Sequence, residues 1–225
     1  MELFGDQILD FYNRLSTGPP VPDNIQVLCP HRQKDAQKAM KQFYTKYYSD
    51  ENKRTYLIGI NPGRLGAGTT GIPFTDPIRL LEICGINNSF EKKAELSSKF
   101  VYQMIAACGG AESFYANCYF TSVSPLGFTK DGKNLNYYDL RELQESWEGF
   151  MVEALQRQLK FGCRQVAFSL GQGKNYHYLQ MINQKYGLFA EIRPLPHPRW
   201  IMQYRLKKLQ EFLDLYKSQL IPFFN

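Results

Sequence analysis

The hydrophobic positions of this chain follow two rhythms. Phe4, Ile8, Phe11 and Leu15 in "MELFGDQILDFYNRL" recur at helical spacing. So do Ala36, Ala39, Met40, Phe43, Tyr44 and Tyr47 across residues 34–48, with lysines on the opposite face. Beyond residue 50 short apolar runs alternate with helical patterns. Strands are predicted at 55–60, 114–123, 164–170 and 188–192, followed in turn by helices at about 93–108, 138–160, 173–185 and 200–220. This alternation predicts an α/β fold, a three-layer α/β/α sandwich with a central, mainly parallel four-stranded sheet. At 225 residues the chain fits one domain, with residues 1–50 as an N-terminal helical extension and a Pro-rich turn at 16–23. In such folds ligands sit beyond the carboxyl ends of the strands. Loops 61–77, 122–136 and 194–200 fall there, and their convergence is the expected site.

Composition narrows the classes. With 44% apolar residues the chain can pack a core, and no apolar stretch approaches the length of a membrane span. The N-terminus has no basic start and no small-residue cleavage site, so it reads as a domain helix and not a signal peptide. The five cysteines (Cys29, Cys84, Cys108, Cys118, Cys163) lie far apart without a C-x-x-C. They argue against a disulfide framework, a zinc site or an iron–sulfur cluster, and for buried thiols in a reducing cytoplasm. A formal charge of +6 is compatible with a polyanionic partner without requiring one.

The first loop, in "TYLIGINPGRLGAGTTGIPFTDP", contains a literal G-x-G-x-x-G at residues 66–71. As a dinucleotide fingerprint it fails. Gly66 lies six residues past Ile60, and Pro73 forbids a helix where the third Gly should pack. The nearest acidic residue at a suitable distance, Glu91, lies in a polar stretch, and no Gly-Lys-Ser/Thr follows for a P-loop. A nucleotide or sugar-phosphate enzyme using this loop is therefore a minor alternative. Asn61-Pro62-Gly63 is more informative, because it puts a carboxamide on a tight turn directly after a strand. Taken singly, that turn, Phe74 in "GIPF" and His197 in "PLPHPR" each have an ordinary structural explanation: a loop turn, a core ring, a structural imidazole.

In combination, "GINPG", "TGIPF" and the later "HPR" resemble the uracil-DNA glycosylase superfamily, specifically its single-strand-selective monofunctional branch. "SPLGFTKDGKNL" (124–135) is similar to that branch's segment between its second strand and the following helix. The resemblance runs from about 55 to 200 and is not visible in residues 1–50. "GINPG" also resembles the mismatch-specific uracil/thymine glycosylases, but their second motif begins Asn-Pro-Ser, whereas here it begins His197-Pro198.

The resemblance implies a monofunctional DNA glycosylase that hydrolyses an N-glycosidic bond after flipping the base out of the stack. Asn61 would position the attacking water through its carbonyl oxygen, since an amide is no base. His197 would donate a hydrogen bond to the base oxygen on which negative charge develops. Phe74 would stack on the base, beside Ile60 and Gly63. Pro198, Arg199 and Trp200, with Ile201, would enter the DNA, and Lys133 and Lys130 would contact phosphates. Where the family reads the uracil edge with Asn, three residues before Pro-Leu, this chain has Ser122; the nearest Asn on the predicted strand is Asn117. A rotatable hydroxyl implies a pocket less exclusive for uracil, open to deaminated purines such as xanthine. Asp76 is a competing catalytic carboxylate, although Asp before Pro77 commonly starts a helix. No metal or organic cofactor is implied. No lysine is placed for Schiff-base chemistry, so strand cleavage is not expected. The partner is DNA, bound by a monomer; a nucleic-acid-binding module without catalysis is the alternative from another class.

Overall fold

The computed structural model describes residues 2–224; Met1 and Asn225, the ends of the expected domain, lie outside them. The chain opens with α1 (Phe4–Asn13), β1 (Ile25–Leu28) and α2 (Lys34–Tyr47). β2 (Arg54–Gly59) leads through α3 (Ala67–Thr70) and α4 (Pro77–Glu82) to α5 (Leu96–Ala107) and α6 (Ala111–Asn117). β3 (Cys118–Ser122) runs into a hairpin of β4 (Gly127–Lys130) and β5 (Lys133–Leu135), then into α7 (Arg141–Leu159). β6 (Cys163–Leu170), α8 (Lys174–Tyr186), β7 (Glu191–Leu195), α9 (Pro198–Tyr204) and α10 (Leu209–Leu220) follow.

The central sheet has four strands, parallel as the alternation predicts, and their order is β3-β2-β6-β7. Register is what builds the site. Gly59 lies opposite Ser122, Ile58 opposite Ser169, and Leu170 opposite Leu195, so the carboxyl ends of all four strands reach one edge.

Both faces of this sheet are covered, because side chains alternate along each strand. On one face Phe4 of α1 packs edge-on against Tyr119 (5.4 Å) and stacks on Tyr48 (5.6 Å). On the same face lies Gln158 of α7, fully buried. Its Oε1 accepts from the hydroxyls of Tyr119 (3.0 Å) and Thr121 (2.7 Å), and its carbonyl accepts from Tyr56 (2.6 Å). The buried hydroxyls are thus paired and not left to pay full desolvation. On the opposite face Phe114 of α6 stacks on Phe120 (5.4 Å), and Phe100 of α5 meets Tyr216 of α10 (5.0 Å).

Four elements differ from the sequence expectation, the first being the last strand, which runs Glu191–Leu195 and not 188–192 because Asn183 ties Phe189 into the turn after α8. The strand expected at 114–123 is a helix as far as Asn117 and a strand only from Cys118. Gly109 and Gly110, at φ 98° and 92°, turn the chain after α5. The helix they start buries Phe114 and Tyr115 in the core, so packing overrides the strand preference of an aromatic run. The helix expected at 200–220 breaks at Arg205. α9 lies on α5, and α10 turns back until the Tyr216 hydroxyl donates to the Pro196 carbonyl at 2.5 Å. Loop 122–136 holds the β4–β5 hairpin, which pairs with β1 as a second, antiparallel sheet in the order β1-β4-β5. Asp131-Gly132, at φ 51° and 70°, forms its turn.

Trp147 of α7 carries this second sheet. It is fully buried and stands edge-on against Phe128 of β4 at 4.7 Å. Trp147→Ala should destabilise the protein by about 3–5 kcal/mol in urea melts, and Trp147→Phe by clearly less. Equal losses for the two would show that ring contact with Phe128 is not what the indole supplies.

Candidate active site

Asn61 stands two residues beyond the end of β2. Its Oδ1 accepts from the Tyr137 backbone N–H at 3.1 Å, and its Nδ2 donates to the Leu135 carbonyl at 3.2 Å. A fixed donor on one side and a fixed acceptor on the other determine which end of the amide is oxygen. Oδ1 keeps one lone pair for another donor. The clamp extends sideways. The Tyr137 hydroxyl donates to buried Asn175 of α8 (3.0 Å), whose Nδ2 lies 3.4 Å from the carbonyls of Ile58 and Gly59.

Missing side chains shape the floor. A Cβ on Gly59 would lie 2.9 Å from Cζ of Phe74, so glycine there lets the ring lie over the sheet end. Phe74 itself adopts φ 55°, a left-handed conformation costly for a bulky residue and characteristic of functional sites. Its ring packs 5.2 Å from Phe120 and 6.4 Å from the imidazole of His197. The glycines of "GAGTTG" serve packing: a Cβ on Gly66 would come within 2.6 Å of Oε2 of Glu95, and Gly71 caps α3 at φ 75°.

His197 is the N-cap of α9, and its Nδ1 accepts from the Arg199 backbone N–H at 3.1 Å. An acceptor at Nδ1 puts the proton on Nε2, making that nitrogen a donor. Burial, aided by the neighbouring Arg199 charge, lowers its pKa to about 4. Ser122 donates its hydroxyl to the Ser124 carbonyl at 2.6 Å. A carbonyl only accepts, so the serine oxygen has only acceptor capacity left.

Asn61, Phe74, Ser122 and His197 line one cleft of about 780 Å³, together with Ile60, Gly63, Arg199 and Trp200. Other candidates lie elsewhere. Pro198 is buried in the first turn of α9, and Lys133 sits in the hairpin register opposite Lys130, neither lining the cleft. Ile201 is buried in the core, which leaves Arg199 and the part-exposed Trp200 as the outward residues of that turn. Asn117 ends α6, at the far end of β3 from Ser122, and its Oδ1 accepts from Arg164. Asp76 is fully buried, caps α4 through the Arg79 N–H (2.8 Å) and pairs with the Arg79 guanidinium (3.1 Å). Its carboxylate is committed to structure.

Residues 45–220 match the uracil DNA glycosylase superfamily. The chain belongs to this superfamily. The crystal structure of wild-type Pedobacter heparinus SMUG2 superposes on the glycosylase with a TM-score of 0.94 at 41% identity, covering 97% of each chain. The likeness therefore extends beyond residues 55–200 and takes in the N-terminal helices, whose sequence carries no visible motif. It places the glycosylase beside the single-strand-selective monofunctional branch, as a uracil-DNA glycosylase-like hydrolase acting on DNA. No helix among the described residues is long and apolar enough to cross a membrane.

Several cleft residues of the glycosylase escape sequence reasoning. Gln172, Gly173 and Lys174 follow β6, and Asn134 and Asn136 stand on either side of Leu135, whose carbonyl holds Asn61. The first group had a signal: "LGQGK" directly follows a predicted strand, as the three chosen loops do. Glu95 had none, because it arrives from the turn before α5.

His197 generates a pH prediction. The folded state holds the neutral imidazole, so this contribution to stability is complete above pH 6.5 and is lost as pH falls toward 4. In a 15N-resolved NMR titration the His197 ring should remain the Nε2–H tautomer at pH 6 and protonate near pH 4. A midpoint at the ordinary value of 6.5 would contradict the burial argument.

Proposed function

We propose that the chain removes uracil, and with it the deaminated purine xanthine, from DNA by hydrolysing the N-glycosidic bond and leaving an abasic site. One observation carries this reading: the amide of Asn61 and the imidazole of His197 open into the same cleft, with the Phe74 ring 6.4 Å from the imidazole. A base extruded from the stack and laid on Phe74 presents its edge to His197. Base–aromatic stacking contributes roughly 1–3 kcal/mol. Ile60 and Gly63 bound the same space.

Bond cleavage leaves negative charge on the base. His197 donates from Nε2 to the carbonyl oxygen carrying that charge, an interaction worth about 3–4 kcal/mol in comparable sites. The imidazole is neutral at physiological pH, so it stabilises the anion without protonating it. The free lone pair of the Asn61 oxygen orients water toward C1′. Trp200 and Arg199 face the DNA, Arg199 filling space left by the base, with Pro198 stiffening their turn and Lys133 reaching phosphate.

Ser122 explains the proposed base range. Its oxygen accepts, and the ring N–H beside the C4 oxygen of uracil or the C6 oxygen of xanthine donates. Cytosine and adenine carry a lone pair at the equivalent nitrogen and meet acceptor with acceptor. One acceptor rejects cytosine and adenine but also suits guanine, the parent of xanthine, whose N1–H lies beside its C6 oxygen, whereas an asparagine pair would also fix the rest of the edge.

Alkali-revealed cleavage of labelled oligonucleotides containing uracil, hypoxanthine or xanthine tests the proposal. Uracil and xanthine should be released. Asn61→Ala and His197→Ala should each lose about two to three decades in single-turnover rate while retaining DNA binding. Ser122→Asn should raise the ratio of uracil to xanthine release. Tight DNA binding with no release from any substrate would replace this reading with a non-catalytic one.

A further inference from the structure

One carboxylate reaches the cleft, and the roles above leave it unused. Among the described lining residues Glu95 is the only Asp or Glu. Its Oε1 lies 3.8 Å from where a Cβ of Gly63 would be, and its Oε2 only 2.6 Å from that of Gly66. Two glycines in the turn that carries Asn61 therefore open the space it occupies. Asn134 Nδ2 approaches Gly63 from the other side, 3.4 Å from the same Cβ position. No lysine or arginine among the described residues forms a salt bridge with Glu95; Arg199 acts on it at longer range, and the Asp76 carboxylate repels it. A part-buried carboxyl without a close cation, facing a binding cleft, is costly and therefore suggestive of chemistry.

The geometry points to Glu95 as the proton acceptor for the water that attacks C1′, an assignment that rests on the glycosylase reading above. Neither group already placed in the reaction is a base for this step, and the other imidazole lining the cleft, His31, packs 6.1 Å from Tyr12 on the N-terminal side. The Asn61 amide has no useful proton affinity, and its oxygen already accepts from Tyr137. His197 carries its proton on Nε2, and its Nδ1 is engaged by the Arg199 N–H. In the step itself the C1′–N bond breaks with both electrons leaving on the base. The water oxygen gives a lone pair to C1′, and one water proton passes to the Glu95 carboxylate, from which it returns to the departed base anion. Before attack, the same negative charge opposes the positive charge developing at C1′.

Burial raises the Glu95 pKa, Asp76 adds to the rise, and Ser97, Arg199 and Ser98 pull it down. A base whose pKa approaches the working pH is more effective than an ordinary carboxylate. Glu95 also stands at the N-cap position of α5, although its side chain makes no cap hydrogen bond there, so a structural explanation of its position must be tested as well. Glutamine separates the two, since it keeps an acceptor oxygen for the helix and loses the ability to take a proton.

The test is single-turnover release of uracil by wild-type protein and Glu95→Gln as a function of pH, with melting temperature and DNA affinity measured alongside. Glu95→Gln should slow release by about 100-fold or more with both controls unchanged. The wild-type rate should rise with pH through a transition above the ordinary carboxylate range. The variant should lose that limb and retain only the His197 transition near pH 4. An active wild type with an equally fast variant, or a variant that keeps the upper limb, overturns the assignment. Should the variant fail to fold, a wild-type profile with no limb above the carboxylate range overturns it as well. A wild type that releases no base rejects instead the glycosylase reading on which the assignment rests.

Discussion

The Asn61 carboxamide is held between the carbonyl of Leu135, at the end of the second sheet, and the N–H of Tyr137 just past it, and the arrangement of the cleft depends on that clamp. β2 belongs to the parallel sheet; Leu135 and Tyr137 belong to the hairpin side. One side chain therefore joins the two sheets where the strands end. It needs a donor and an acceptor on one planar group. An aspartate at this position would face the Leu135 carbonyl, acceptor against acceptor, and would lose the Nδ2 hydrogen bond. The neutrality of the site's amide is thus a structural requirement as well as a chemical property. The Tyr137–Asn175 bond carries the same frame across to α8. Such second-layer bonding keeps a reactive geometry within the small tolerance that catalysis requires.

A neutral amide and a neutral imidazole lining one cleft have chemical consequences. Neither group is suited to protonate a leaving base or deprotonate water; each can act only as an aimed dipole, which leaves any proton transfer to another residue of the cleft. The Nδ1–Arg199 bond and the low His197 pKa express one fact in two ways: the ring is held as a donor at Nε2. Ser122 follows the same logic with opposite polarity, its hydrogen committed to Ser124 and its oxygen left to accept. Glycine completes the design by leaving room. Gly59 gives space to the Phe74 ring, and Gly66 gives space to Glu95.

The strand–helix alternation from residue 55 onward was legible because burial on a sheet or helix face imposes a local period. Asn61, Ser122 and His197 were legible because each sits at or just past the end of a strand, whereas Phe74, in the turn between α3 and α4, was legible only through the motif that contains it. Boundaries failed where a tertiary demand exceeded a local preference: at 114–117, where aromatic residues entered the core on a helix, and at Arg205, where the last helix breaks. The hairpin at 127–135 carried an Asp-Gly signal that went unread, and β1, its partner, lies about 100 residues earlier in the chain.

By itself the sequence determined the class of fold, the succession of strands and helices along the chain and the residues at the strands' carboxyl ends, since those follow from periodicity and from turn chemistry within a few positions. Only the tertiary structure decided that the turn after β6 joins the three expected loops in one cleft, that Glu95 faces the site, and that the Asn61 amide is clamped in one orientation. Those outcomes depend on strand register and on contacts between segments tens of residues apart, where no local pattern carries the information.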